Sequence, residues 1–220
     1  MGIEVLFHSV TIERLLVGFS VTLKIALIAI LISWFFGTLF GVIRTTRSVL
    51  IRGIFRVYLE SIRIIPLLVW LFILYFILPA DFDMNLSAQT VAIIVFSLWG
   101  AGEMSDIVRG ALISLPKHQT ESALAVGLNK WQVFGYVLLP QAFKRTIPAA
   151  INLSARMIMT TSLLVFVGVI EVVKVGQQII EYEKFTNEMA PFWIYGFILI
   201  LYFMVCYPLS KFARMATKQP

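Results

Sequence analysis

The sequence predicts an all-α integral membrane protein of about five transmembrane helices, with its N-terminus outside and its C-terminus inside. Three observations predict it. Hydrophobic residues make up 60% of the 220 and charged residues only 14%, where soluble domains carry about 25% charged residues. Mean hydropathy is +0.91, and apolar runs of bilayer length recur along the chain. Basic residues collect in alternate connections between those runs. The composition excludes a soluble globular domain and a disordered chain. The single cysteine, Cys206, lies in an apolar run and excludes a disulfide scaffold. In so apolar a chain a net charge of +6 reads as membrane sidedness, and nucleic acid is not an expected partner.

The elements follow in order. The first residues contain Glu4 and Glu13, with no basic start and no small-residue cleavage site, so no cleavable signal is expected. Leu6 stands where an acylated Met-Gly start needs Ser or Thr. Residues 3–16 are expected to lie as a short amphipathic piece at the interface. Uncharged runs at 25–43, 64–80, 84–102 and 189–210 each approach the roughly 20 residues that span hydrocarbon. A fifth run, 147–170, is interrupted by Arg156 alone. Lys24 is expected to snorkel at the outer end of the first span. The whole chain, 1–220, reads as one transmembrane domain. A polar loop over about 117–145 separates the third and fourth spans, and an acidic loop over about 171–188 separates the fourth and fifth.

Arg44, Arg47, Arg52 and Arg56 form one basic group. Arg109, Lys117, Lys130, Lys144 and Arg145 form a second, and Lys211, Arg214 and Lys218 a third. All three fall on one side of a five-span bundle, which the positive-inside rule places in the cytoplasm. Glu4, Glu13, Asp81, Asp83, Glu171, Glu181, Glu183 and Glu188 fall on the other. Five helices barely enclose a path for a polar solute, so a second such chain is expected.

Within the loop at 117–145 the pattern is that of two short helices with a turn. Ala123 and Ala125 let the first lie close to another surface. Gly127 suits the left-handed residue that ends a helix. Asn129 is a cap for the second helix, 130–138, and Pro140 is expected to stop it. The form is that of a docking hairpin. Glu121, Ala123, Gly127, Val137, Leu139 and Pro140 match the cytoplasmic "EAA" loop of ABC importer permeases, which this stretch resembles, with Ser122 in place of its middle Ala.

The resemblance extends over about residues 16–209 and narrows to the polar amino-acid branch of that family. Its pieces are Thr22-Leu23, Tyr58 through Pro66-Leu-Leu, Asp106-Ile-Val-Arg109-Gly110, Pro116-Lys-His-Gln119, Leu139-Pro-Gln-Ala142 and Thr161-Ser162-Leu163, with Glu171 following. This chain departs from the family pattern at three places. Ile64-Ile65 stand where Gly-Thr is usual, Met159-Thr160 where Lys-Asp is usual, and Glu103 where many members have an aromatic. The resemblance implies a multi-pass permease subunit of an ATP-driven importer in the bacterial cytoplasmic (inner) membrane. It implies pairing with a second permease chain, the same or related, and an extracytoplasmic binding protein that delivers an amino acid. It also implies an ABC ATPase dimer that uses ATP and Mg and docks on the hairpin through Glu121, Ala123, Gly127, Leu139 and Pro140. The chain itself has no phosphate-binding Gly-rich loop and no catalytic triad, and no cofactor is expected on it. His8 and His118 make no metal site. Membrane lipid completes the expected partners.

Ionisable groups within spans are functional candidates by default. Glu60 and Arg63 share a face, and Pro66 just beyond them is expected to kink the helix and free carbonyls. Glu103, Asp106 and Arg109 repeat every three residues on the third span. Asp106 and Arg109 are expected to form a structural pair. For Glu103 two readings stand: it faces the path and reads a substrate ammonium, or it pairs with Arg156 or Arg63. Arg156 lies one turn before Thr160-Thr161-Ser162, where its guanidinium suits a substrate carboxylate. The expected path residues are Thr22, Arg63, Pro66, Glu103, Arg156, Thr160, Thr161 and Ser162. With Thr160 in place of an acid, neutral or acidic amino acids are favoured over cationic ones. The loop at 171–188 is either a contact for the binding protein or a solvated face. The competing readings are a stand-alone channel or secondary transporter without an ATPase, a membrane enzyme, for which no catalytic set is present, and a permease of the same class for another solute.

Overall fold

The computed structural model describes residues 2–7, 9–82 and 85–217, and among them helices are the only regular structure. After a single turn at Glu4–Phe7, α1 runs unbroken over Ser9–Ile43. Its apolar residues recur all round, as a helix buried among others or in lipid requires. At 1.5 Å per residue its 35 residues measure about 52 Å, well beyond a hydrocarbon core of about 30 Å. This corrects the expectation of a separate interfacial piece at 3–16: Leu16 already belongs to the long helix, and Lys24 is exposed near its middle.

Two helices meet at a break. α2, Val49–Ile64, starts at Ser48, whose Oγ accepts from the Ile51 amide at 3.5 Å. It ends because Pro66 disfavours helical geometry at the residue before it, and Ile65 is accordingly extended, with φ −81° and ψ 123°. The chain then turns by 99° into α3, Leu67–Phe72, which passes through a π-helical turn at Ile73–Ile77 into Leu78–Phe82. The predicted second span is thus the second arm of a bent pair. Residues 67–80 measure about 21 Å, short of a full crossing. Four other helical stretches are long and apolar enough to cross, and the bent pair makes up to five.

α4, Ala88–Ile113, opens at Ser87, whose Oγ accepts from the Thr90 amide at 3.1 Å. It packs along α1 over a seam of small residues. A Cβ at Gly37 would stand 2.5 Å from Met104 Cβ, and one at Gly41 2.7 Å from Val108 Cβ. Close backbone approach of this kind is how membrane helices gain packing that lipid cannot supply. α5, Lys117–Ala125, leads through a turn into a helical run over residues 130–167. That run comprises Lys130–Gln132, a π-helical stretch at Val133–Leu138, α6 at Leu139–Thr160 and a 3₁₀ turn at Thr161–Val167. Pro140 therefore does not stop the hairpin's second helix. The amide of Leu139 reaches back five residues to the Phe134 carbonyl. The wider turn accepts a proline that has no N–H to give and whose ring would strike a carbonyl four residues back. The second helix of the hairpin and the fourth span are one continuous run.

Gly168 ends it at φ +76°. α7, Val172–Glu183, and α8, Ala190–Thr217, complete the chain. The main core gathers α1, α4 and α6 around Ala26, Phe96, Leu153 and Met157, all without exposure. A second core joins the early turns of α1 to α7 and α8 through Leu15, Val172 and Ile194. There Gly18 lets the Val172 backbone come close, since a Cβ would lie 3.0 Å from Val172 Cα. The first part of the acidic stretch at 171–188 is therefore a packed helix, while residues 181–188 are mostly exposed.

Candidate functional site

Helix α4 carries Glu103 and Asp106 three residues apart, so both carboxylates leave the same face. Basic groups from three other segments converge on them. Arg44, which closes the last turn of α1, donates to Asp106 Oδ1 at 2.6 Å and to Ser105 Oγ at 2.8 Å. Arg63, on the last turn of α2, donates to Asp106 Oδ2 and approaches Glu103 Oε1 at 3.5 Å. Arg156, deep in α6, donates to Glu103 Oε2 at 3.2 Å. One network of five charges thus ties α1, α2, α4 and α6 together.

Within it the exposure differs. The Arg44 side chain is 12% exposed and Arg156 53%. Arg44 is a structural strut, whereas the Arg156 guanidinium spends one N–H on Glu103 and keeps others open. Arg109 makes no ion pair among the described residues. The expected Asp106–Arg109 pair is replaced by Arg44 and Arg63, because the α1–α4 seam brings Arg44 within reach of Asp106.

The remaining path candidates sit differently. Pro66 stands at the 99° break, beside Arg63. Thr160 and Ser162 bond backward to the Arg156 and Met159 carbonyls at 2.8 and 3.1 Å. Thr161 is fully buried, 2.7 Å from the Ile158 carbonyl and 3.3 Å from the Tyr202 hydroxyl. Thr22 is also fully buried and belongs to a different group. Its hydroxyl lies 3.1 Å from Glu171 Oε2, and its oxygen accepts from the Val172 amide at 3.3 Å. The structure places Thr22 in a clasp between α1 and the start of α7, apart from the charged network.

Glu171 is the residue that sequence reasoning undervalued. It caps α7, its Oε1 accepting from the Lys174 amide at 2.9 Å, and it has no exposure. Burial pushes its carboxyl above the ordinary glutamate range, against the opposing pull of the bonds from the amides and Thr22. Its position just ahead of Val172-Val173 is the pattern of an acidic helix cap, which is the signal that could have found it.

The hairpin forms a second site. At the end of α5 the Leu128 amide bonds to the Ala123 carbonyl at 3.2 Å and the Gly127 amide to Leu124 at 3.0 Å. With Gly127 at φ +90°, this is the left-handed closure that glycine adopts without strain. Asn129 Oδ1 then accepts from the Gln132 amide at 3.0 Å, and Gln132 Oε1 accepts from the Asn129 amide at 2.9 Å. That reciprocal cap holds the turn rigid. Ala123 is buried against the helical run that follows, while Glu121 is exposed, and Leu139 and Pro140 lie on an exposed stretch. Around the turn Val126 is 79% exposed, Trp131 85% and Tyr136 76%. The capped corner thus carries large apolar side chains on its outside, the kind of exposed patch that a partner covers.

The family described as binding-protein-dependent transport system inner membrane component matches residues 29–211. The probable glutamine ABC transporter permease protein GlnP of Bacillus subtilis (strain 168) is 32% identical over 197 residues, covering 90% of this chain and 89% of that protein. The glutamate/aspartate import permease protein GltJ of Escherichia coli (strain K12) is 26% identical over 200 residues, covering 86% and 81%. Among solved structures, an amino acid ABC transporter with histidines superposes with a TM-score of 0.83 at 25% identity over 92% of both chains. The MetNI methionine ABC transporter, at 18% identity over 96% of this chain and 99% of that one, shares the fold with a TM-score of 0.71.

Proposed function

The chain belongs to the inner membrane components of binding-protein-dependent transport systems, and from that premise we propose that it forms the path for a neutral or acidic amino acid. As a permease subunit it is a multi-pass inner-membrane protein that works with a separate ATPase and a binding protein, and it performs no ATP hydrolysis of its own. Membership removes the stand-alone channel and the membrane enzyme from consideration.

The observation that carries the mechanism is the continuity of the helical run over 130–167. Trp131 projects from its docking end and Arg156 from its membrane end, about 38 Å apart along one helix at 1.5 Å per residue. We propose that an ATPase dimer, using ATP and Mg, grips the corner formed by Glu121, Ala123, Gly127, Leu139 and Pro140. Displacement of that corner is transmitted by a rigid rod, and the Arg156–Glu103 contact is where the rod meets α4. The bend at Pro66 gives α2 and α3 a hinge at the same level, with Arg63 as its second tie to Glu103 and Asp106. Thr160 and Ser162, one turn and more beyond Arg156, complete the proposed path, and Thr161 anchors it to Tyr202. Thr22 and Glu171 support it from the side.

Substrate class follows from the open face of Arg156. A guanidinium with unspent N–H groups binds a carboxylate in two-point fashion, and Glu103 is already engaged by two arginines. A cationic side chain meets net positive charge there. The relatives named for glutamine and for glutamate and aspartate fit that electrostatics. The proposed sidedness puts the hairpin and the C-terminus in the cytoplasm and the N-terminus outside. It leaves exposed Tyr182 and Phe185 on the outer face for the binding protein. A second permease chain, the same or related, completes the path.

Affinity purification of the tagged chain from its membrane tests the docking. An ATP-hydrolysing subunit is expected to co-purify, and Gly127→Trp or Trp131→Glu is expected to release it while the unfolding temperature stays within a few degrees. Retention of the ATPase by both variants overturns the assignment of the hairpin. Competition in the uptake assay tests the substrate: glutamine or glutamate is expected to compete, and competition by arginine or lysine alone overturns the substrate class.

A further inference from the structure

Beside the proposed path, and sharing Arg63 with it, the chain holds a cavity of about 470 Å³ lined by Arg44, Arg52, Arg56, Arg63 and Arg109, with Glu60 as its one acidic wall. Asp106 stands behind it and engages Arg44 and Arg63. Arg63 also approaches Glu103, whereas Arg52, Arg56 and Arg109 have no ion pair among the described residues. Such an excess draws an anion into the space they share. Arg52, Arg56, Glu60 and Arg63 line one side of α2 at helical spacing, and Arg52 and Arg56 are exposed. Neither has an ion pair among the described residues. Arg52 bonds only to the Arg47 carbonyl, at 3.3 Å.

The neighbouring side of the same helix points to the source of that anion. Leu50, Ile54, Val57 and Ile64 are 61 to 74% exposed, the first three at three- and four-residue spacing and Ile64 two turns further on. Helix α2 lies at 99° to the arm that follows it, as an interfacial helix does when the next segment enters the membrane. An apolar stripe beside a row of arginines is the arrangement that lies in a headgroup layer, with acyl chains on one side and phosphates on the other.

We propose that this cavity binds the phosphate ester of an acidic phospholipid, its acyl chains lying along the Leu50–Ile54–Val57 stripe. The guanidinium forks of Arg52, Arg56 and Arg109 hold the phosphate, since they match its oxygens in two-point fashion and are free of carboxylates. The bound lipid neutralises the floor beneath the Arg63 and Arg44 struts, and so couples lipid composition to the charged network without entering the path.

The test uses the full chain purified with its associated subunits in mild detergent. Native mass spectrometry counts retained phosphatidylglycerol and phosphatidylcholine, and inorganic pyrophosphate serves as the soluble source of the same chemistry. Phosphatidylglycerol is expected to be retained about tenfold better than phosphatidylcholine. Arg52→Gln with Arg56→Gln is expected to abolish that preference. Arg52→Lys with Arg56→Lys, which keeps both charges, is expected to preserve most of it and serves as the folding control. A preference that survives the double glutamine variant overturns the site, as does the absence of any preference in the assembled complex. Pyrophosphate binding that displaces no lipid and is lost in the glutamine variant overturns the lipid assignment and makes the ligand soluble.

Discussion

Replacing Glu103 with Gln separates a residue that only holds helices together from one that lies in the path. Glu103 receives Arg156 at 3.2 Å and Arg63 at 3.5 Å, and its side chain is 23% exposed. At such a distance the bare attraction is about 5 kcal/mol with an effective dielectric of about 20, before desolvation and side-chain ordering are subtracted. The 53% exposure of Arg156 discounts it to the range of surface pairs, about 0.5–1 kcal/mol. Arg63 keeps Asp106 when Glu103 is neutralised, so Arg156 is the group left alone, and it is half solvated. The expected stability loss is therefore about 1 kcal/mol, or about 2–4 °C in unfolding temperature for a chain of this length.

If the same contact transmits movement between α6 and α4, uptake falls much further than that. A loss of at least about tenfold in reconstituted uptake is expected, equivalent to about 1.4 kcal/mol in the transport barrier. Uptake of labelled amino acid by proteoliposomes carrying the complete assembly is measured beside thermal unfolding of the same preparation. Arg156→Gln and the double variant close a cycle, and non-additive effects on uptake are expected for residues acting as a unit. Normal uptake by Glu103→Gln, with assembly intact, refutes the place of this network in the path. Strictly additive losses refute the Arg156–Glu103 contact as the working link.

The remaining predictions concern the scaffold. Because burial raises the Glu171 carboxyl above its unfolded value, the folded state holds a proton more readily than the unfolded one. Its contribution is present at acidic pH and is lost as pH rises through the raised value, so the unfolding temperature is expected to fall on alkalinisation. Glu171→Gln is expected to flatten that dependence in differential scanning fluorimetry across the pH range, and an unchanged slope contradicts the assignment. At the α1–α4 seam, Gly41→Val inserts a side chain whose Cβ alone lies 2.7 Å from Val108 Cβ and 2.8 Å from the Ser105 carbonyl. Overpacking of this kind costs about 1–3 kcal/mol. Because it pushes Arg44 away from Asp106, uptake is expected to fall together with the unfolding temperature.

The legible and the illegible parts of this protein differ in physical kind. The hairpin could be read because each of its signals is local. Gly127 is needed where the backbone turns left-handed, at φ +90°, and Asn129 with Gln132 closes a cap three residues long. The break at Pro66 is local too, since a proline constrains the residue before it. Pro140 shows where such reading fails. The same rule that ends α2 predicted a stop there, but a π-helical turn upstream widened the spacing and carried the helix through.

Composition and apolar runs by themselves determined that this chain is a helical membrane protein, because hydrocarbon demands about 20 apolar residues and satisfied backbone bonds wherever a chain crosses it. The spacing of Glu103 and Asp106 determined that they share a face. The tertiary structure alone decided what meets that face. A partner three residues along the same helix, Arg109, looked adequate on paper. Asp106 instead holds Arg44, 62 positions away, because Gly37 and Gly41 let α1 approach α4 until the end of one helix lies beside the other. Whether Glu171 is solvated or buried was likewise settled by the packing of α7 on the early turns of α1, where Gly18 admits it. Such pairings depend on how each helix is rotated and how closely it is admitted, and small residues elsewhere on the helix set both.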